Sequence, residues 1–133
     1  MIHIKKATTN NVAATLTEKT TISASPVYYL FSFTNDETKL VYTCIGASVA
    51  NNERYNLLTI QEVASGANRT AGQITLKDTG FYHYEVYAQS SSTNLDPDQA
   101  DEMVEQGKAE VTAVPSTINT YDSQPNTAKV YNG

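Results

Sequence analysis

Apolar and polar side chains alternate with a period of two along most of this chain, the spacing of strands with one buried face. Ile2 and Ile4 alternate with His3 and Lys5, which predicts a short edge strand. Asn10-Asn11 reads as a turn, and Val12 to Glu18, rich in Ala and Thr, as a second strand. The run Val27-Tyr28-Tyr29-Leu30-Phe31-Ser32-Phe33-Thr34 is the strongest strand signal, bounded by Pro26 and by Asn35-Asp36. Parity puts Tyr29, Phe31 and Phe33 on the core face and Tyr28, Leu30 and Ser32 on the other. Lys39 to Ala47 pairs with this run as a hairpin closed by Asn35 to Thr38. Ala50 to Glu53 reads as a loop, Tyr55 to Val63 as a strand with Leu58 and Ile60 inward, and Gly72 to Leu76 as a short one with Ile74 and Leu76 inward. Two more follow, Gly80 to about Gln89, and Lys108 to Val114 with Ala109, Val111 and Ala113 on one face.

A helical signal occurs once. Asp96 suits an N-cap, Pro97 the first helical position, Gln99 the capping box and Gly107 the stop, which predicts a short helix between Asp96 and Gly107. Beyond Pro115 the composition turns to Ser, Thr, Asn and Gln, so the domain is expected to span 1–114 and an extended C-terminal arm 115–133. The pattern as a whole predicts an all-β, antiparallel sandwich of about seven or eight strands with one short helix. Its core should be Tyr29, Phe31, Phe33, Leu58, Ile60, Ile74, Leu76, Tyr82, Tyr84, Val86 and Val111.

Composition narrows the function. The 133 residues suffice for one domain with a substantial core, and nine tyrosines, no tryptophan and 17% charged residues suit a β-rich protein. A net charge of −5, with no basic cluster beyond Lys5-Lys6, argues against a nucleic-acid partner. No stretch approaches the ~20 apolar residues of a membrane-spanning helix. The opening MIHIKKATTN has no apolar run after its basic residues, so neither a signal peptide nor a membrane partner is expected, and synthesis in a cytoplasm is. With one cysteine, Cys44, an intramolecular disulfide is excluded, and the thiol should pack as a small apolar group in a strand.

One local motif stands out, Asp78-Thr79-Gly80 leading into Phe81-Tyr82-His83-Tyr84. Asp can bond its own backbone two residues on, and Gly accepts a positive φ, so the triplet signals a turn into a strand. Asp78-x-Gly80-x-Tyr82-x-Tyr84 resembles the D-x-G-x-Y-x-C run of immunoglobulin-like sandwiches, in which the tyrosine hydroxyl bonds back to upstream backbone. The resemblance implies an immunoglobulin-like sandwich with Asp78, Gly80 and Tyr82 as turn and corner. Tyr84 stands where that family has a cysteine, which removes the inter-sheet disulfide.

Catalytic groupings are sparse. A nucleophile with a base needs histidine, and only His3 and His83 are present; alternation turns His83 away from the core. There is no G-x-S-x-G, no phosphate-binding glycine loop and no Cys/His spacing for zinc. Asp96, Asp98, Asp101 and Glu102 are the best metal candidates, yet they lack the spacing of a calcium loop, and helix capping accounts for them more simply. No catalytic residue, cofactor or metal ligand is therefore assigned, and an enzyme is not expected. Tyr28, Tyr87, Tyr121 and Tyr131 exceed what one core uses, and tyrosine is favoured where proteins dock, so these four are the candidate partner-binding residues. Tyr121 and Tyr131 would anchor the arm on the sheet edge of a neighbouring subunit.

Four phrases carry a wider resemblance: PVYYLFSFTND at 26–36, ERYNLLTIQE at 53–62, DTGFYHYEVYAQSSSTNLDPD at 78–98 and VEQGKAEV at 104–111. They resemble small virion-associated proteins of tailed bacteriophages, especially phages of Bacteroidetes-type and aquatic bacteria. The likeness runs from about residue 12 to residue 114, nearly the whole expected domain. It implies a virion component, a head auxiliary or decoration protein, with the major capsid protein or neighbouring virion subunits as partners and a homo-oligomer in the particle as one form. A tail or fibre module that contacts a host receptor or glycan is the alternative.

Overall fold

The computed structural model describes residues 1–23, 27–51 and 55–113. The aromatic run becomes β3 (Tyr28–Asn35), which pairs antiparallel with β4 (Val41–Ile45) on one side and with β8 (Gly80–Gln89) on the other. The other strands are β1 (Ile2–Lys5), β2 (Thr9–Ala14), β5 (Ala47–Asn51), β6 (Asn56–Glu62), β7 (Gln73–Ile74) and β9 (Glu102–Thr112). They make two sheets. One is five-stranded in the order β1-β9-β8-β3-β4; in the other, β6 lies between β2 and β5 and also pairs with β7. The chain is all-β, and its described helical turns are three-residue 3-10 segments at Thr17–Lys19, Arg69–Ala71 and Pro97–Gln99.

The inner faces of the two sheets share one core. Every residue assigned to it from the sequence is buried, with Phe31, Phe33, Ile60, Leu76, Tyr82 and Val86 completely so. Ile2, Ile4, Val12, Ala14, Leu16, Cys44, Ala88, Val104 and Ala109 complete it. Two glycines are forced by this packing. A Cβ on Gly107 would stand 2.9 Å from the Tyr84 ring, and one on Gly46 2.9 Å from the Phe31 ring. Tyr84 and Gly107 are direct cross-strand partners, so the ring lies over the bare backbone opposite it.

Four expectations are corrected. The sheets are mixed, not purely antiparallel: β1 runs parallel to β9, and β7 parallel to β6. Nine strands are formed among the described residues, because β4 ends at Ile45 and a further strand, β5, runs from Ala47 into the start of the loop expected at Ala50 to Glu53. The helix expected between Asp96 and Gly107 is a single 3-10 turn at Pro97–Gln99, after which the chain extends into β9. Asp96 does cap that turn, its Oδ1 accepting the Asp98 N–H at 3.0 Å, but only Met103 and Val104 supply apolar surface to the segment. Pairing with β8 buries Val104 and Ala109 and bonds the inward backbone groups of β9 along its length, whereas an isolated helix of about three turns would be marginal. Lastly, Asn10-Asn11 lies inside β2, which ends at Ala14 short of Glu18; the turn is at residues 6–8, with Ala7 at φ 60°. Asn10 builds that turn from the strand: its Oδ1 accepts the Lys5 N–H at 2.9 Å, and its Nδ2 donates to the Lys5 carbonyl at 3.1 Å.

Leu30 and Ser32, on the outer face of β3 by parity, are buried as well. The β8–β9 connection folds back over that face, held where Thr43 Oγ1 donates to the Leu95 carbonyl at 2.9 Å. Gln89 shapes the connection, its Nε2 donating to the Ser91 and Asn94 carbonyls, both at 3.0 Å. The arm expected from 115 to 133 lies outside the described residues.

Candidate interaction surface

The turn into β8 brings together Asp78, Gly80 and Tyr82. Gly80 sits at φ 115°, a region that side-chain-bearing residues avoid. Tyr82 is wholly buried, and its hydroxyl donates to the Asp78 carbonyl at 2.5 Å, four residues upstream. Burial pushes its pKa up, since the phenolate would lose its solvation. Asn35 lies opposite Tyr82, and its Oδ1 accepts the Glu37 and Thr38 N–H groups at 2.8 and 2.9 Å, closing the β3–β4 turn.

The candidate metal carboxylates do not converge. Asp96 caps the 3-10 turn, Asp101 Oδ2 accepts the Ser90 N–H at 2.9 Å, and Asp98 carries no side-chain bond of this kind. Glu102 accepts from Thr21 N–H at 2.6 Å, Thr21 Oγ1 at 2.8 Å and Ile22 N–H at 3.1 Å, and these donors lower its pKa. Asp96, Asp101 and Glu102 are each used to hold backbone. His83 lies on the outer face of β8, 3.6 Å from Glu85, and His3 stands 3.4 Å from Glu110. Cys44 is fully buried in β4, and desolvation raises its thiol pKa to about 12 against the opposing pull of Arg69, so it is held as the neutral thiol.

Of the candidate docking tyrosines, Tyr28 and Tyr87 share the outer face of the five-stranded sheet, while Tyr121 and Tyr131 lie outside the described residues. Tyr87 is half-buried and donates to Glu85 Oε1 at 2.8 Å; burial and that carboxylate raise its pKa to about 12. The same face carries apolar side chains that reading by residue type passed over. Val41 is 56% exposed, Phe81 52% and Met103 47%. Val41 pairs with Thr34, Thr34 with His83, and Met103 with Tyr87, so the ladder fixes all of them on one side. The alternation that turns His83 away from the core puts Phe81 on the same side, and that was the available signal.

The sheet edges differ in how they end. At β4, Arg69 donates from Nε to the Thr43 carbonyl at 2.9 Å and from Nη2 to Thr43 Oγ1 at 2.7 Å, which occupies one outward carbonyl of that strand. At β1, the outward groups of Lys5 are taken by Asn10.

Fold and surface together define a small two-sheet all-β module whose buried polar side chains serve the scaffold and whose five-stranded sheet exposes Val41, Phe81 and Met103 on its outer face. No family model and no curated protein matches the chain. Among solved structures it is similar to a candidate glycoside hydrolase from Bacteroides vulgatus, with a TM-score of 0.44 and 9% identity over 87% of this chain and 17% of that one. The chain thus spans less than a fifth of that protein's length.

Proposed function

We propose that this chain is a structural protein of a tailed bacteriophage virion, an auxiliary module that binds the capsid shell in the manner of a decoration or cement protein. The observation that carries the reading is the outer face of the five-stranded sheet. There Val41, Phe81 and Met103 are about half exposed on the same face as Tyr28 and Tyr87, Met103 as the cross-strand partner of Tyr87, a mix of apolar and amphipathic side chains suited to docking on a protein surface. The phrases shared with small virion-associated proteins lie mostly on the strands that build this face, β3, β8 and β9. An immunoglobulin-like arrangement of the two sheets belongs to the same reading, supported by the bond from Tyr82 to the Asp78 carbonyl.

The test is sedimentation with capsid shells stripped of the protein. Full-length protein should bind saturably at many equivalent sites, and Phe81→Asp should bind far less while melting at the same temperature. No saturable binding to shells would sink the proposal. Binding to tails, at a small multiple of the tail symmetry, would favour the receptor- or glycan-contacting alternative instead.

A further inference from the structure

Arg69 holds the edge of β4 with only part of its guanidinium. Gly46 N–H donates to the Tyr29 carbonyl and Asn35 N–H to the Leu40 carbonyl, so the even-numbered residues of β4 bond to β3 while Val41 and Thr43 turn their backbone outward. Arg69 reaches that edge from a firmly tied turn. Ala71 N–H and Gln73 N–H both donate to the Asn68 carbonyl, at 3.0 and 3.2 Å, and Asn68 N–H donates to Gln73 Oε1 at 2.8 Å. The Thr43 hydroxyl gives its proton to the Leu95 carbonyl, so toward Arg69 it can only accept. Nε and one Nη2 proton of Arg69 are thereby committed to Thr43, along one edge of the guanidinium plane. Three of the five N–H donors remain, two on Nη1 and one on Nη2, and one from each lie side by side across the end of the fork. No carboxylate stands within ion-pair distance of Arg69 among the described residues.

Arg69 also forms part of the wall of a cavity of about 350 Å³, together with Val41, Tyr42, Ala67, Ile74 and Thr75. None of the residues lining it is acidic, although the chain carries 14 acidic side chains against 9 Lys and Arg. The Tyr42 hydroxyl is buried with no hydrogen-bond partner among the described residues, a donor left over for something that enters. We propose that this cavity binds a small organic carboxylate, held bidentately by the free end of the Arg69 guanidinium and by the Tyr42 hydroxyl, with its carbon body against Val41, Ala67 and Ile74. A planar carboxylate matches two parallel N–H groups, and the hold on Thr43 fixes the fork in advance, so little rotamer freedom is lost on binding. The fork alone would also take phosphate. The apolar part of the wall favours an acid with a carbon body over that strongly hydrated ion. The volume lies at the low end for ligand pockets, which keeps the acid small.

A titration of the full chain with sodium butyrate tests this, followed by NMR at the Val41 and Thr75 amides and the Arg69 Nε–H, with sodium chloride at matched ionic strength as the reference. Butyrate should shift these signals saturably, and acetate and inorganic phosphate should bind several-fold more weakly. Arg69→Gln should weaken butyrate binding roughly tenfold or more. Arg69→Lys keeps the charge without the fork and should weaken it nearly as much. Because Arg69 also holds Thr43, Tyr42→Phe gives a second reading. Its hydroxyl has no partner to lose, so the melting temperature should hold while butyrate affinity drops roughly three- to tenfold. Shifts no larger than those from chloride, phosphate binding as tightly as butyrate, or butyrate affinity unmoved in either Arg69→Gln or Tyr42→Phe overturns the proposal.

Discussion

Glu62 offers the sharpest test of how this fold is held. Glu62 is only 2% exposed at the end of β6, where Oε1 accepts the Ala7 N–H at 2.8 Å and Oε2 the Leu76 N–H at 3.0 Å. It thereby joins the β1–β2 turn, β6 and the segment after β7. Glu62→Gln keeps the shape but turns one oxygen into an NH₂ group facing an N–H donor. One charge-assisted bond is lost, worth roughly 1.5–3 kcal/mol, and the other falls to a neutral bond of about 0.5–1.5 kcal/mol. Removing a buried charge gives some of this back. The expected net loss is about 2 kcal/mol, or roughly 6–10 °C in melting temperature for a domain of this size. Urea titration should move the midpoint with the slope unchanged, and the Ala7 and Leu76 amides should lose exchange protection before the rest of the fold. Glu62→Ala, which loses both bonds, should fall further than Glu62→Gln. If Glu62→Gln melts within a degree or two of the parent, the carboxylate is not what holds these segments.

Three further outcomes are expected. Phe31→Ala should destabilise by about 3–5 kcal/mol, since the ring is fully buried between Phe33 and Gly46; a calorimetric shift of only a few degrees would contradict that packing. Tyr82→Phe should lose roughly 0.5–1.5 kcal/mol, the net worth of the bond to the Asp78 carbonyl, and an unchanged urea midpoint would argue against it. Tyr84 has its pKa raised from 10.0 to about 12, first by burial and then by its bond to Glu105, so folding favours the protonated phenol. That contribution is complete below the unfolded value and fades as pH climbs through the folded one, so melting temperature should drop between pH 10 and about 12 and drop less steeply in Tyr84→Phe; equal slopes would refute the assignment.

The strands with one apolar face were legible because period two is a direct image of the pleat: Tyr29, Phe31 and Phe33, or Ile74 and Leu76, could face only one way. What failed were positions where a side chain does tertiary work. Asn10 reads as a turn residue and does build a turn, but from inside a strand, by bonding to Lys5 across the corner. Asp96 and Pro97 were correct local signals for a helical start, and the 3-10 turn forms there. Its continuation was decided by the long partner β8, which no local signal contains. The burial of Leu30 depends on a polar connection sixty residues downstream folding over it, and composition gives no hint of that. The docking tyrosines were sought by residue type, whereas the exposed surface is set by parity, which is why Val41, Phe81 and Met103 went unmarked.

The pairing of β1 with β9 has a consequence for how the molecule comes into being. Ile2 is made more than a hundred residues before Ala109, its neighbour in the sheet. The hairpin of β3 and β4 closes locally, while the first strand must wait for nearly the whole domain to be made. Because such distant closures come late and slowly, Ile2 and Ile4 remain apolar and unpaired during synthesis. His3 and Lys5, alternating with them, keep that waiting segment short and charged, a form ill suited to pairing with other nascent chains.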